Sequence, residues 1–157
     1  MNKTNLTITI TITITVLILI ALNYGFKEKN KPGSYVTIAG KKISVEIADD
    51  SFEYVQGLSG SASLGEDKGM LFLLWEKSSA WTFWMKDMNF PIDIVWIDAD
   101  TVVDITRNVQ PQPGAPDEQL MKYSPSQRAD TVLEINAGWA ERNGLKIGDK
   151  ITLNLND

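Results

Sequence analysis

The sequence predicts a mainly β domain, a jelly-roll-like sandwich or compact barrel of about eight strands with one or two short helices, behind an N-terminal transmembrane helix. Three observations carry this reading. Short runs alternating apolar and polar residues recur between Gly, Asp and Asn turn signals after residue 34. The 157 residues suffice for one domain and a short extension, and the chain has no Cys to staple a smaller fold. Finally, no charge occurs between Thr4 and Phe26.

The N-terminal segment begins with TITITITIT and continues VLILIAL. Period alone reads alternating Thr and Ile as a strand, but a lone strand cannot satisfy its backbone in lipid, whereas a helix can. As a helix the 23 residues reach roughly 34 Å, enough for a hydrocarbon core of about 30 Å. Residues 1–26 are therefore expected to be a membrane anchor or signal segment, with 4–26 contacting the membrane. Lys3 supplies a signal-peptide n-region, but no A-x-A site follows. A hydrophobic segment ahead of one soluble domain implies a membrane-anchored, extracytoplasmic location, although Lys27, Lys29 and Lys31 pull the flanking charge the other way.

Residues 27–34, KEKNKPGS, read as a linker, and 35–157 as a single β-rich domain. YVTIA and KISVEIA form a hairpin about Gly40-Lys41. Asp49 to Leu58 forms a short helix capped by Asp50 or Ser51, with Phe52, Val55 and Leu58 on one face and Gly60 beyond its end. MLFLLW follows the turn GEDKG, and WTFWMK is the next strand. IDIVWID and TVVDITRNV make a hairpin across Ala99-Asp100. After a long loop from Pro111 to Arg128, TVLEINAG is a strand, GWAERNG a helical turn or two closed by Gly144, and KITLNL the last strand.

GLSG, EDKGMLF, FWMKDM, PIDIVWID, the Pro-rich loop with YSP, VLEINAG and NGLKIGDKI occur in one order and spacing. Together they resemble the domain of unknown function 192 family of bacteria and archaea over about residues 36–155. The resemblance implies a mainly β fold of jelly-roll or compact-barrel type with short helices, and no settled activity. Ser59 stands where the family pattern usually reads Met and Asp87 where it usually reads Asn. The stretch around Gln56 lacks the Arg common there.

Composition narrows the chemistry. With no His and no Cys, imidazole bases, Ser-His-Asp triads, thiol nucleophiles and thiolate metal sites are excluded. Beyond Pro32 the chain carries 11 Lys and Arg against 19 Asp and Glu, without the basic footprint that nucleic acid requires. No cofactor, metal site or catalytic residue is assigned. Asp98, Asp100 and Asp104 lack the Gly and bidentate Glu of an EF-hand and read as a hairpin turn.

The candidate ligand-binding residues are Trp84, Lys86, Asp93, Tyr123 and Glu134. On a strand, Trp81, Phe83 and Met85 face one way while Thr82, Trp84 and Lys86 face the other, setting an aromatic ring beside an ammonium. Asp93 interrupts an apolar strand and needs a partner, for which Lys86 is near in sequence. Glu134, opposite in pleat to Leu133 and Ile135, reads as surface. Trp84, Lys86, Asp93 and Tyr123 would line a cleft under the Pro-rich loop, making a membrane-tethered binding module for a small polar or carbohydrate ligand. The alternatives are a carboxylate hydrolase on envelope glycans, pairing Asp93 with Glu134, and a domain docking on a membrane protein.

Overall fold

The computed structural model describes residues 33–156. The expected anchor over 4–26 lies outside these residues. Among the described residues no helix is long and apolar enough to cross a membrane.

The strands are β1 (Tyr35–Ile38), β2 (Lys41–Ala48), β3 (Lys68–Ser78), β4 (Ile92–Asp98), β5 (Thr101–Val109), β6 (Ala129–Asn136) and β7 (Ile151–Asn154), with short helices α1 (Ser51–Gln56) and α2 (Trp139–Arg142). They form one sheet in the order β5-β4-β6-β3-β2-β1-β7. Every pairing is antiparallel except β2 with β3, which α1 connects. The sheet curls into a half-barrel whose edges meet at one end. There Val102 N donates to Asp149 O at 2.9 Å, Gly148 N to Val102 O at 2.8 Å and Ile151 N to Asp100 O at 2.8 Å.

The sequence dictates this curl through its apolar runs. β4 and β6 are buried on both faces, so IDIVWID and ADTVLEIN read as nearly continuous apolar strands, the pattern expected at the centre of a covered sheet. One face carries Val36, Ile43, Leu71, Val95, Ile97, Leu133 and Ile135, joined by Val102 and Ile151 from the two outer strands and by Trp139 of α2. The other carries Phe72, Ile92, Ile94, Trp96 and Val132, and is covered by Met85, Met88 and the partly buried Tyr54, Phe83 and Tyr123.

Three expectations are corrected. The architecture is a single curled sheet of seven strands, not a two-sheet jelly roll of eight, because WTFWMK makes only an isolated bridge between Phe83 and Tyr123. Its period of two is still visible as burial, with Met85 1% exposed and Trp84 36% exposed. The alternation reports packing over the sheet face, not a ladder. The first hairpin turns at Ala39-Gly40, both with positive φ, one residue earlier than expected. Lastly, α1 is capped by Asp50, whose Oδ1 accepts from Phe52 N and Glu53 N, but Phe52 and Val55 point outward. The chain leaves the helix at Gly57, so Leu58 reaches the core from outside it. A helix of six residues is too short to impose a 3.6-residue face.

Candidate functional site

Asp93 is fully buried on the face it shares with Val95 and Ile97. Its Oδ1 accepts from Asn108 N at 2.8 Å and Gly138 N at 3.1 Å, and its Oδ2 from Ala140 N at 3.0 Å. Asn108 lies in the left-handed region, φ 53°, at the irregular end of β5, and Gly138, φ 76°, precedes α2 without a side-chain cap of its own. Asp93 thus ties the end of β5 to the start of α2. The expected pairing with Lys86 is not formed.

Lys86 pairs instead with Asp117 of a 3₁₀ turn in the Pro-rich loop, and its Nζ stands 3.9 Å from Asp87. The hydrogen bond to Asp117 raises its pKa. Lys86 borders a cavity of about 230 Å³ roofed by Gln112, Pro113, Pro116 and Asp117. That cavity's loop is fastened in turn by Gln112 Oε1, which accepts from Met121 N at 2.8 Å. Substituting Lys86 with Met is expected to speed hydrogen exchange over residues 112–119 and leave the melting temperature nearly unchanged, because exposed ion pairs add little to stability. Unchanged exchange there would remove the fastening role.

Trp84 lies elsewhere. Together with Tyr54, Phe72, Leu74, Trp81 and Phe83 it lines a second cavity, of about 220 Å³, between α1 and the sheet face that carries Phe72 and Ile94. Aromatic edges build its wall. Phe72 and Phe83 meet edge to face with centroids 4.9 Å apart, and Phe83 meets Trp96 at 5.3 Å. Trp75 packs on Trp81 at 4.4 Å and on Tyr54 at 5.3 Å, while remaining 69% exposed outside the wall. Tyr54 and Trp81 are oriented by their polar ends. The Tyr54 hydroxyl donates to Leu73 O, and Trp81 Nε1 to Glu76 O at 2.9 Å. Lys122 Nζ stands 3.4 Å above the Trp84 ring.

Glu134 also lines this cavity, which corrects its reading as a surface residue. It lies on β6 between β3 and β4, opposite Met70 and Ile94, and is 5% exposed. A strand paired on both sides inside a covered sheet has no solvent face, so the pleat opposite Leu133 is also interior. The carboxyl has neither a hydrogen bond nor an ion pair with any described residue. Every wholly occluded side-chain nitrogen or oxygen among those residues has a partner. The carboxyl therefore opens onto the cavity. Burial pushes its pKa up to about 8.

Three other polar side chains of the lining have protein partners, while the half-exposed Trp84 indole N–H has none among the described residues. Ser59 Oγ donates to Lys86 O at 2.7 Å, Gln56 Nε2 to Ser59 O at 3.0 Å, and Thr82 Oγ1 lies 3.3 Å from both Ala80 O and Ser124 Oγ.

Trp84, Lys86, Asp93 and Tyr123 therefore do not form the expected cleft. Trp84 and Glu134 share the aromatic cavity. Lys86 lies under the Pro-rich loop, Asp93 is on the opposite sheet face, and Tyr123 pairs its backbone with Phe83 at 2.8 and 2.9 Å while burial raises its pKa. Asp93 and Glu134 project to opposite faces and cannot flank one glycosidic bond as acid and base. Tyr54, Phe72, Leu74 and Trp81 were missed as lining residues. Only the clustering of aromatics in LFLLW and WTFW hinted at them. Asp98 pairs with Lys77, Asp100 with Lys150 at 2.7 Å, and Asp104 accepts from Ser126 N at 2.7 Å, so the acidic group belongs to the β4-β5 hairpin and its surroundings.

None of the curated proteins matches this chain. Two solved structures are similar with TM-scores of 0.65. One is a protein of unknown function from Novosphingobium aromaticivorans DSM 12444, 32% identical, the match covering 75% of this chain and 83% of that one. The other is a candidate transcription regulator from Sinorhizobium meliloti 1021, 29% identical, covering 76% of this chain and 90% of that one. The sequence profile of DUF192, described as uncharacterized ACR, matches residues 34–153. With the half-barrel fold and that match over most of its length, the chain belongs to the DUF192 family.

Proposed function

We propose that the domain is a non-catalytic binding module, held extracytoplasmically on a membrane by residues 4–26, that takes a small polar ligand in the aromatic cavity. The observation that carries this reading is Glu134, a buried carboxyl without a partner among the described residues that borders a cavity walled by Phe72, Trp81, Phe83 and Trp84. An apolar pocket with one convergent polar group is the usual architecture of a small-molecule site. Burying a carboxyl without hydrogen bonds is unfavourable, and a ligand that donates to it offsets that cost.

A carbohydrate is less well served, because Gln56, Ser59 and Thr82 already have protein partners and a sugar presents several hydroxyls at once. Hydrolysis of glycans is disfavoured by the separation of Asp93 and Glu134 across the sheet. The name of the Sinorhizobium meliloti structure suggests transcription, but 11 basic against 19 acidic residues beyond Pro32 argue against nucleic acid as a partner.

The test is a thermal-shift screen of small acids, amines, sugars, nucleotides and peptidoglycan fragments. A ligand specific for the native state raises the melting temperature by mass action. The expected hit loses its shift in Trp84→Ala and Glu134→Gln and keeps it in Lys86→Met, each variant first shown to fold. A blank panel, or a shift abolished only in Lys86→Met, would overturn the assignment; crosslinking in the native membrane would then test a docking partner. Carbonate extraction tests the tether, with the intact chain expected in the membrane pellet.

A further inference from the structure

We infer that the aromatic cavity selects a small organic cation, an amine whose ammonium meets the Glu134 carboxylate and whose compact apolar body lies among Phe72, Phe83, Trp81 and Trp84. This rests on the binding reading above and names the ligand's chemical class.

The one buried polar side chain of the cavity lining without a hydrogen-bond or ion-pair partner among the described residues is an acid, Glu134. Its neighbours across the sheet, Met70 on β3 and Ile94 on β4, provide no compensating charge, and the other titratable group lining the cavity is Tyr54, whose hydroxyl is already engaged with Leu73. A ligand ammonium supplies both the missing charge and the missing donors, and charge-assisted bonds are stronger than neutral ones. The wall favours the same sign of charge, since aromatic faces attract cations; Lys122 already stands 3.4 Å over the Trp84 ring, and the rings of Tyr54, Phe72, Trp81 and Phe83 also line this cavity. The acidic balance of the domain raises the local concentration of cations as well.

Size limits the body. A dry apolar cavity of about 150 Å³ accepts benzene. The volume here, about 220 Å³, accommodates a ring with a short aminoalkyl arm. Binding converts a protonated Glu134 and an ammonium into an ion pair and one released proton: the carboxyl O–H bond breaks, its electron pair stays on oxygen, and the proton passes to buffer. The raised pKa of Glu134 means that this proton is present at pH 7.

The 157-residue chain is titrated calorimetrically with 2-phenylethylamine, 2-phenylethanol and phenylacetate at pH 7 in two buffers of different ionisation enthalpy, with Glu134→Gln as control. The amine is expected to bind at least about tenfold tighter than the alcohol and to release about one proton, with phenylacetate weakest. In Glu134→Gln the amine falls to the affinity of the alcohol and no proton is released. Equal affinity for amine and alcohol in the parent chain, with Trp84→Ala weakening both, would overturn the cation assignment while leaving the cavity as a binding site. Binding of neither compound beside a sugar hit would overturn it in favour of a carbohydrate. If nothing bound at all, both the cation and the cavity reading would fall.

Discussion

Replacing Asp93 by Ala is expected to destabilise the domain by about 4 kcal/mol, because charge-assisted hydrogen bonds contribute about 1.5–3 kcal/mol each and are not fully additive. The carboxylate accepts from the backbone N–H groups of Asn108, Gly138 and Ala140, of which the bond to Ala140 is fully buried. Removing it orphans donors at the end of β5 and at the first turn of α2 together, and Gly138 supplies no side-chain cap in its place. Asp93→Asn keeps the shape but turns an amide N–H towards backbone N–H groups, and is expected to lose most of the same stability. Urea denaturation measures both. A loss under about 1 kcal/mol for Asp93→Ala would show that water replaces the carboxylate and that α2 is positioned by Trp139 and Ala140 packing alone.

The need for a partner at Asp93 was legible in IDIVWID, since an acid between Ile92 and Ile94 on an apolar strand cannot be left bare. Its partners were not, because they come from residues 108 to 140, brought together by the insertion of β6 between β3 and β4. The β4-β5 hairpin was readable for the opposite reason: Ala99-Asp100 closes it locally, and Asp98 pairs with Thr101. Strand order is also what concealed Glu134. Read alone, TVLEIN alternates like a strand with one wet face, and only its pairing on both sides makes that face interior. The aromatic run WTFWMK misled in the other direction. Phe83 and Met85 are anchored by core packing, the run makes a single bridge from Phe83 to Tyr123, and the backbone enters the left-handed region just after it, at Asp87. A position of that kind favours Asn, Asp or Gly, which Asp87 satisfies.

Glu134 gives the second large effect, and it is a pH dependence. In the unfolded chain its carboxyl titrates at the ordinary value of 4.5, whereas in the folded domain burial moves it to about 8. Between those values the folded state holds a proton that the unfolded state has released. Raising the pH through this window therefore lowers stability, by up to about 1.4 kcal/mol per pH unit for a single group. Below 4.5 both states are protonated and the loss is absent; above about 8 it is complete. Asp100 and Asp104 act oppositely. Their pKa values are lowered, so their contribution is present above 3.8 and fades only in more acidic solution. Because they are common to parent and variant, the comparison with Glu134→Gln isolates Glu134. Denaturation at pH 5, 6, 7 and 8 is expected to show the parent chain falling steadily below the Gln variant, with the gap closing as the pH returns to 5. Saturating 2-phenylethylamine should flatten the parent's slope, since an ammonium in the cavity holds Glu134 ionised in the folded state and so removes the proton difference. Parallel profiles for parent and variant would mean that solvent entering the cavity already stabilises the carboxylate, and the case for Glu134 as the group awaiting a ligand would fail with them.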